Sequence, residues 1–404
     1  MFLSVGEYVT PDNLVYSQQI QVANSVVDTG RFDGVDVIIA LPRLAVLKRA
    51  RTHKKNIHQV LSMSRVPVHV FQSWVHSGLW LSFMLKKQAL EGLASEIVSQ
   101  LIWSPGDRVI IHARSYYAAQ LALLLKEKCP ESDIKVVFDM RSLWVPEFPL
   151  NSSLVGTAMV GFLRRWEHHL ITRSDLTLIT TLAGLNYLSL EGGYVNLQHI
   201  PLMGFAQSKI LAERDFEAIV RRRWENKKVA YVGAISRWHP LSNVLLVMES
   251  LQKRMPIQAI AAVNHAAVIP GISVENHPHN EMVTFYSELL ASIVPGMAST
   301  DDSFELLQMR INLFSTKAVE SLSLGVPIIV TSQLAELSSF VKDHQCGIIL
   351  GRGKNSIYET EFPSGFDFNS FDSWLQLSKN ALKAGQLFSR ENVVKTYLRY
   401  WESL

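Results

Sequence analysis

Only two of the 404 residues are cysteine, Cys129 and Cys346, and they lie far apart with no histidine or second cysteine at metal-ligand spacing. That scarcity argues against a disulfide-stapled fold and against a structural zinc site. Long apolar runs are missing as well. Stretches such as Leu121–Leu125 and Val326–Val330 fall far short of the roughly 20 residues that cross a bilayer, and the opening MFLSVGEYVT turns polar too early for a secretory leader. The expectation is a cytoplasmic protein with no transmembrane helix. Charge of one sign is scarce: the net charge is +3, and no interleaving of basic and aromatic residues marks a nucleic-acid surface. Glycine is sparse where a dinucleotide fold would need it, with Gly6 alone after the first predicted strand in place of G-x-G-x-x-G, which argues against NAD or FAD. No solenoid-length repeat and no low-complexity segment is present.

What is present is a chain too long for one ordinary core, with 48% hydrophobic and 19% charged residues, so two domains of about 200 residues each are expected. Predicted strands alternate with helices throughout: 2–5, 35–40, 66–71, 107–112, 134–138 and 175–181 in the first half, then 229–232, 257–263, 273–276, 291–295 and 326–330 in the second. The alternation predicts parallel sheets covered on both faces. The positive excess is confined to residues 1–200, which hold 19 Lys and Arg against 16 Asp and Glu, whereas 201–404 hold 20 of each. Lys48, Arg49, Arg51, Lys54 and Lys55 concentrate much of it. Such a cluster is either a solvated helix face or a contact for anionic lipid headgroups.

The most informative stretch is Arg310–Thr331, RINLFSTKAVESLSLGVPIIVT. Ser315 or Thr316 suits an N-cap, Ala318, Val319, Leu322 and Leu324 follow helical spacing, Gly325 suits the left-handed stop, and a buried strand follows. A helix start offers free N–H groups and the positive end of the dipole to an anion, here with Lys317 close by. Glu320, about one turn on, is placed to accept hydrogen bonds from ribose hydroxyls. On pattern alone, Lys317 and Glu320 could equally be a surface pair three residues apart.

The K-x-x-E spacing followed by S-L-G-V-P-I-I-V resembles the donor-nucleotide motif of the retaining glycosyltransferases of family four. Other segments extend the likeness. His112 ends the strand DRVIIH with Arg114 just beyond it, and Asp139 and Arg141 lie in FDMRSLWVPEF; in the family such a histidine faces the donor sugar and the Asp-x-Arg segment lines the acceptor side. Gly233 in YVGAISRW stands where a family glycine lets the backbone approach the diphosphate. Ala234 occupies the position where arginine is common, which leaves Arg237 or His239, or Lys317 alone, to supply charge, and Asn312 stands where many members carry a second glutamate. His279-Asn280-Glu281-Met282 falls where relatives approach the base, although a capping turn explains it as well.

The resemblance implies an α/β protein of the GT-B class, two doubly wound parallel-sheet, Rossmann-like domains facing a central cleft. Residues 1–203 would form the acceptor-side domain, with the C-terminal helix 388–404 packing back on it, and 204–387 the donor-binding domain. The implied activity is transfer of a sugar from a nucleotide-diphosphate-sugar to a glycan or lipid-linked acceptor with retention, in bacterial surface polysaccharide biosynthesis. The implied catalytic residues are His112, Asp139 and Arg141; the implied donor-binding residues are Gly233, Arg237, Asn312, Ser315, Thr316, Lys317 and Glu320. No cofactor and no metal is expected, Asp301-Asp302 being read as solvated, and neither is nucleic acid. The protein would be cytoplasmic, with peripheral contact to the inner membrane. The competing readings are an epimerase-type enzyme on the same fold and a non-catalytic partner protein that kept it.

Overall fold

The structure is a computed structural model that describes all residues except 8, 11–15, 44–49, 76–81, 102, 105, 152–153, 206–212, 234, 236–240, 264–270, 278–280, 297–310, 312–313 and 353–357. The chain divides into two compact units, Met1–Ile200 with Val394–Leu404, and Pro201–Val393.

The first unit is built on a seven-stranded parallel sheet in the order β3-β2-β1-β4-β5-β6-β7. Its strands are β1 (Phe2–Val5), β2 (Val37–Pro42), β3 (Val68–Ser73), β4 (Arg108–Arg114), β5 (Asp133–Met140), β6 (Leu176–Ile179) and β7 (Leu197–His199). β1 and β2 are buried along their whole length because helices cover both faces, and apart from Ser4 their residues are all apolar. Winding reverses between β1 and β4, where Phe2 pairs with both Val37 and His112. In open sheets of this kind the carboxyl ends at the reversal form a natural ligand crevice. The helix Arg390–Glu402 supplies the unit's last layer. Its buried Val394, Tyr397, Leu398 and Trp401 recur at helical spacing, and the Trp401 ring meets Phe2 and His112 edge-on at centroid distances of 5.6 and 5.5 Å.

The second unit repeats the plan in the order β10-β9-β8-β11-β12-β13-β14. The strands are β8 (Lys228–Val232), β9 (Gln258–Ala262), β10 (Ser273–Glu275), β11 (Ala291–Val294), β12 (Ile328–Thr331), β13 (Gly347–Arg352) and β14 (Tyr358–Phe362). All pairings are parallel except β13 with β14, an antiparallel edge that the sequence reading did not include. The reversal falls between β8 and β11. One core cluster packs Ala318, Val319 and Leu322 of the helix Thr316–Ser323 against Ile328 and Val330 of β12, which fixes that helix beside the carboxyl ends of β8 and β11. Among the described residues, no helix is long and apolar enough to cross a membrane.

Candidate functional site

In the second unit the helix Thr316–Ser323 begins at Ser315, whose side chain accepts from the Lys317 N–H at 3.2 Å. Ser315 is thus the N-cap, Thr316 the first helical residue, and the remaining first-turn N–H groups belong to the anion-attracting end. The opposite end is closed by Gly325, with φ of +65°, and by the buried Arg223, the last of three consecutive arginines. Arg223 donates to the carbonyls of Gly325 at 2.9 Å, Leu324 at 3.0 Å and Ser287 at 2.8 Å. A cation on the helix's last carbonyls complements its dipole, and burial lowers the guanidinium to about 10.

Gly233 ends β8 with φ of +124°. A Cβ on it would lie 2.4 Å from Cε of Lys317, so the lysine stem crosses directly over the glycine. Nζ of Lys317 then rests 5.6 Å from the centre of the Tyr231 ring, a distance at which the ring face attracts a cation. Burial lowers the ammonium to about 8, against the opposing pull of Glu320. Burial likewise raises the Glu320 carboxyl to about 7, against the attraction of Lys317. The fully buried Tyr286 sits beside Glu320, and its phenol is raised by burial and then by that carboxylate. Gly233, Ser315, Thr316, Lys317 and Glu320 therefore come together: capped helix start, lysine, tight glycine and a carboxylate one turn on. Arg237 and Asn312 lie outside the described residues, as do Ala234, His239, His279, Asn280 and the Asp301-Asp302 pair.

In the first unit His112, Asp139 and Arg141 are also brought together, but in the interior. β4 continues two residues beyond the predicted end, to Arg114, so His112 lies within the strand and is 2% exposed. Its Nε2 is 3.0 Å from Oδ2 of Asp139, which is 1% exposed. Arg141 donates to the same oxygen from Nε at 2.8 Å and to the Tyr397 hydroxyl at 2.8 Å. Burial alone would raise Asp139, yet Arg141 and the His112 hydrogen bond hold it well below the usual carboxylate range. Burial keeps His112 neutral, outweighing the pull of Asp139. Nearer the carboxyl edge, Arg114 donates to Glu7 at 3.1 Å and to Gln18. His112 and Asp139 are thus buried and paired within the unit, and nothing local in the sequence linked them to Tyr397.

Among the described residues no group of three or more His, Cys, Asp or Glu side chains is arranged to hold a metal ion.

Comparison with known proteins places the fold. No protein-family model matches the chain, and no curated protein matches it. Solved structures do match over the whole chain. Sucrose-phosphate synthase from Thermosynechococcus elongatus superposes with a TM-score of 0.67 at 12% identity, covering 100% of this chain and 98% of that one. HepE from Anabaena, in complex with UDP and glucose, gives 0.60 at 13% identity over 100% and 99%. An alpha,alpha-trehalose-phosphate synthase (UDP-forming) from Burkholderia vietnamiensis gives 0.55 at 9% identity over 100% and 99%. The chain therefore has the GT-B fold, two Rossmann-like α/β units, as the resemblance implied.

Proposed function

We propose that the protein is a glycosyltransferase that takes a sugar from a nucleotide-diphosphate-sugar and passes it, with retention at the anomeric carbon, to a glycan or lipid-linked acceptor in polysaccharide assembly. The observation that carries this reading is the convergence of Gly233, Lys317 and Glu320 at the start of the helix Thr316–Ser323. The helix start and Lys317 would hold the diphosphate, and the charge that develops there on leaving is what such a site stabilises best. Glu320 would accept from the ribose hydroxyls. Attack by the acceptor hydroxyl on the face that the diphosphate leaves forms the new C–O bond as the old one breaks, with a diphosphate oxygen taking the hydroxyl proton. No separate acid and base pair is then required. The donor is the substrate, and no cofactor or metal enters the scheme. The ligands bound in the HepE structure, UDP and glucose, support a sugar nucleotide as the first donor to try.

A second reading, a non-catalytic protein that binds sugar nucleotides, draws on the burial of His112 and Asp139. Incubation with UDP-, GDP-, dTDP- and CMP-linked sugars and mixed glycan acceptors separates the two. Acceptor-dependent release of nucleoside diphosphate establishes the transferase, release without an acceptor points to epimerase-type chemistry, and binding without release establishes the binder. Glu320→Ala should raise the nucleotide dissociation constant at least tenfold with the fold intact, since charge-assisted hydrogen bonds contribute about 1.5–3 kcal/mol each. An unchanged constant by calorimetry would remove Glu320 from the site.

Peripheral membrane contact belongs to the same proposal. Lys54 and Lys55 are exposed on the helix Ala50–Met63, whereas Lys48 and Arg49 lie outside the described residues and the side chain of Arg51 is not described.

A further inference from the structure

We propose that Tyr286 is a positioning residue of the donor site, holding the Glu320 carboxylate so that its remaining lone pairs meet the hydroxyls of the ribose. The role rests on Glu320 being the ribose acceptor, and no motif in the sequence marked Tyr286 for it. The two side chains come from different helices, Tyr286 from Met282–Ser287 and Glu320 from Thr316–Ser323. One guanidinium ties those helices together. Arg223 donates from Nε to the carbonyl of Ser287, the residue after Tyr286, at 2.8 Å, and from Nη1 and Nη2 to the carbonyls of Gly325 and Leu324, just past the second helix, at 2.9 and 3.0 Å. A planar fork with several donors in fixed directions can hold two helix ends in one register, as a lysine's point charge cannot.

The Tyr286 ring is fully buried in a cluster with Val232, Leu324 and Val326, and the Phe205 ring meets it edge-on at a centroid distance of 5.8 Å. Its hydroxyl oxygen is closed to solvent and makes no hydrogen bond of full geometry to any described group. The group within its reach is the Glu320 carboxyl: after burial itself, that carboxyl, as a charge and as a hydrogen-bond acceptor, is what raises the phenol. A buried hydroxyl left unmet is costly, so a small turn of the flexible Glu320 side chain toward the phenol is favoured. Glu320, unlike Tyr286, is not fully buried. An ionised carboxylate offers about four acceptor positions, of which the phenol takes one, and enough remain for two ribose hydroxyls.

The charged and titratable groups that act on this pair are Lys317, one turn earlier on the helix of Glu320, and Tyr231 of β8, which acts on Tyr286. Burial raises the Glu320 carboxyl to about 7, while Lys317 and then the Tyr286 hydrogen bond pull the other way. Removing the phenol hydroxyl therefore raises the carboxyl further, and Glu320 stays protonated to higher pH.

The test is calorimetry on the full chain with UDP and GDP and with their 2′-deoxy forms. Wild type should prefer the ribose form of whichever nucleotide binds. Tyr286→Phe should weaken that nucleotide about fivefold or more at neutral pH, the order of one hydrogen bond, and should narrow the preference for ribose over deoxyribose. The acid limb of the affinity should also move to higher pH, which a loss of packing alone would not bring about. Tyr286→Met removes the same hydroxyl with an adaptable side chain and serves if Tyr286→Phe does not fold. In a Glu320→Ala background either substitution should have no further effect, because Tyr286 acts through that carboxylate. If Glu320→Ala weakens binding and neither substitution at Tyr286 does, or if the two losses add, Tyr286 does not position Glu320. If neither nucleotide binds, or if Glu320→Ala leaves binding unchanged, the ribose site itself is overturned and the role of Tyr286 with it.

Discussion

Gly233→Ala tests the donor site at its tightest contact. The substitution places a methyl group 2.4 Å from Cε of Lys317 and 3.3 Å from Nζ, at a backbone φ of +124° that side-chain-bearing residues rarely adopt. Two costs follow, and they appear in different measurements. Backbone strain of about 1–3 kcal/mol should lower the unfolding free energy with or without ligand. The clash is relieved by moving the flexible end of Lys317, which takes the ammonium off the Tyr231 ring and away from the diphosphate. Loss of one charge-assisted contact of about 1.5–3 kcal/mol corresponds to roughly a 10- to 150-fold rise in the UDP dissociation constant. Calorimetry on Gly233→Ala, Lys317→Met and the double variant closes the cycle. If the glycine acts by admitting the lysine, the double variant should bind UDP about as weakly as Lys317→Met alone. Additive losses would refute that reasoning and assign Gly233 a contact of its own.

Other outcomes follow from the same geometry. UDP affinity should peak between pH 7 and 8, because Glu320 must be ionised (raised to about 7) and Lys317 protonated (lowered to about 8); a flat calorimetric profile from pH 6 to 9 would contradict the pairing. Ligand-free stability should run the other way in the acid limb: a raised carboxyl contributes below its unfolded value of 4.5 and loses that contribution as pH rises through about 7, so Glu320→Gln should flatten that limb of a urea-midpoint series. Asp139→Asn should cost about 3–5 kcal/mol by leaving the mostly buried Arg141 without its counter-charge, and His112→Ala about 2–4 kcal/mol; normal stability with lost turnover in His112→Ala would point to a direct role in chemistry. Wild type should sediment with anionic but not neutral vesicles and release at high salt, and changing Lys48, Arg49, Arg51, Lys54 and Lys55 to Gln should abolish it; equal sedimentation of that variant retires the membrane contact.

The sequence disclosed most where local rules suffice. β1 spans Phe2–Val5 as read, and the helix after Ser315 with its stop at Gly325 follows from capping, apolar spacing and one left-handed glycine. Strand ends were less legible. β4 runs to Arg114 because its pairing with β5 continues as far as Asp139, and that extension moves His112 from an edge into the interior. β7 has only three residues and leaves almost no period to detect. β14, YETEF, does alternate inward Tyr358 with outward Glu359 and Glu361, a signal that was there to be used. Arg223 could not be told from Arg221 and Arg222 within a basic run, because its three carbonyl partners are 64 to 102 positions away in the chain. The Arg141–Tyr397 bond, 256 positions apart, is of the same kind.

The route of the chain through its two units affects how the protein is made. The first unit stops at Ile200 and resumes at Val394, so the whole of Pro201–Val393 is synthesised before Tyr397 and Trp401 exist. At about 5–20 residues per second, those 193 residues occupy the ribosome for roughly 10–40 s. During that interval His112, Asp139 and Arg141 have no covering helix, and the face of the sheet that Trp401 later closes is open to water and to chaperones. The second unit, continuous in sequence, is free to fold first. The amino-terminal half of the nascent chain is thus the half that matures last.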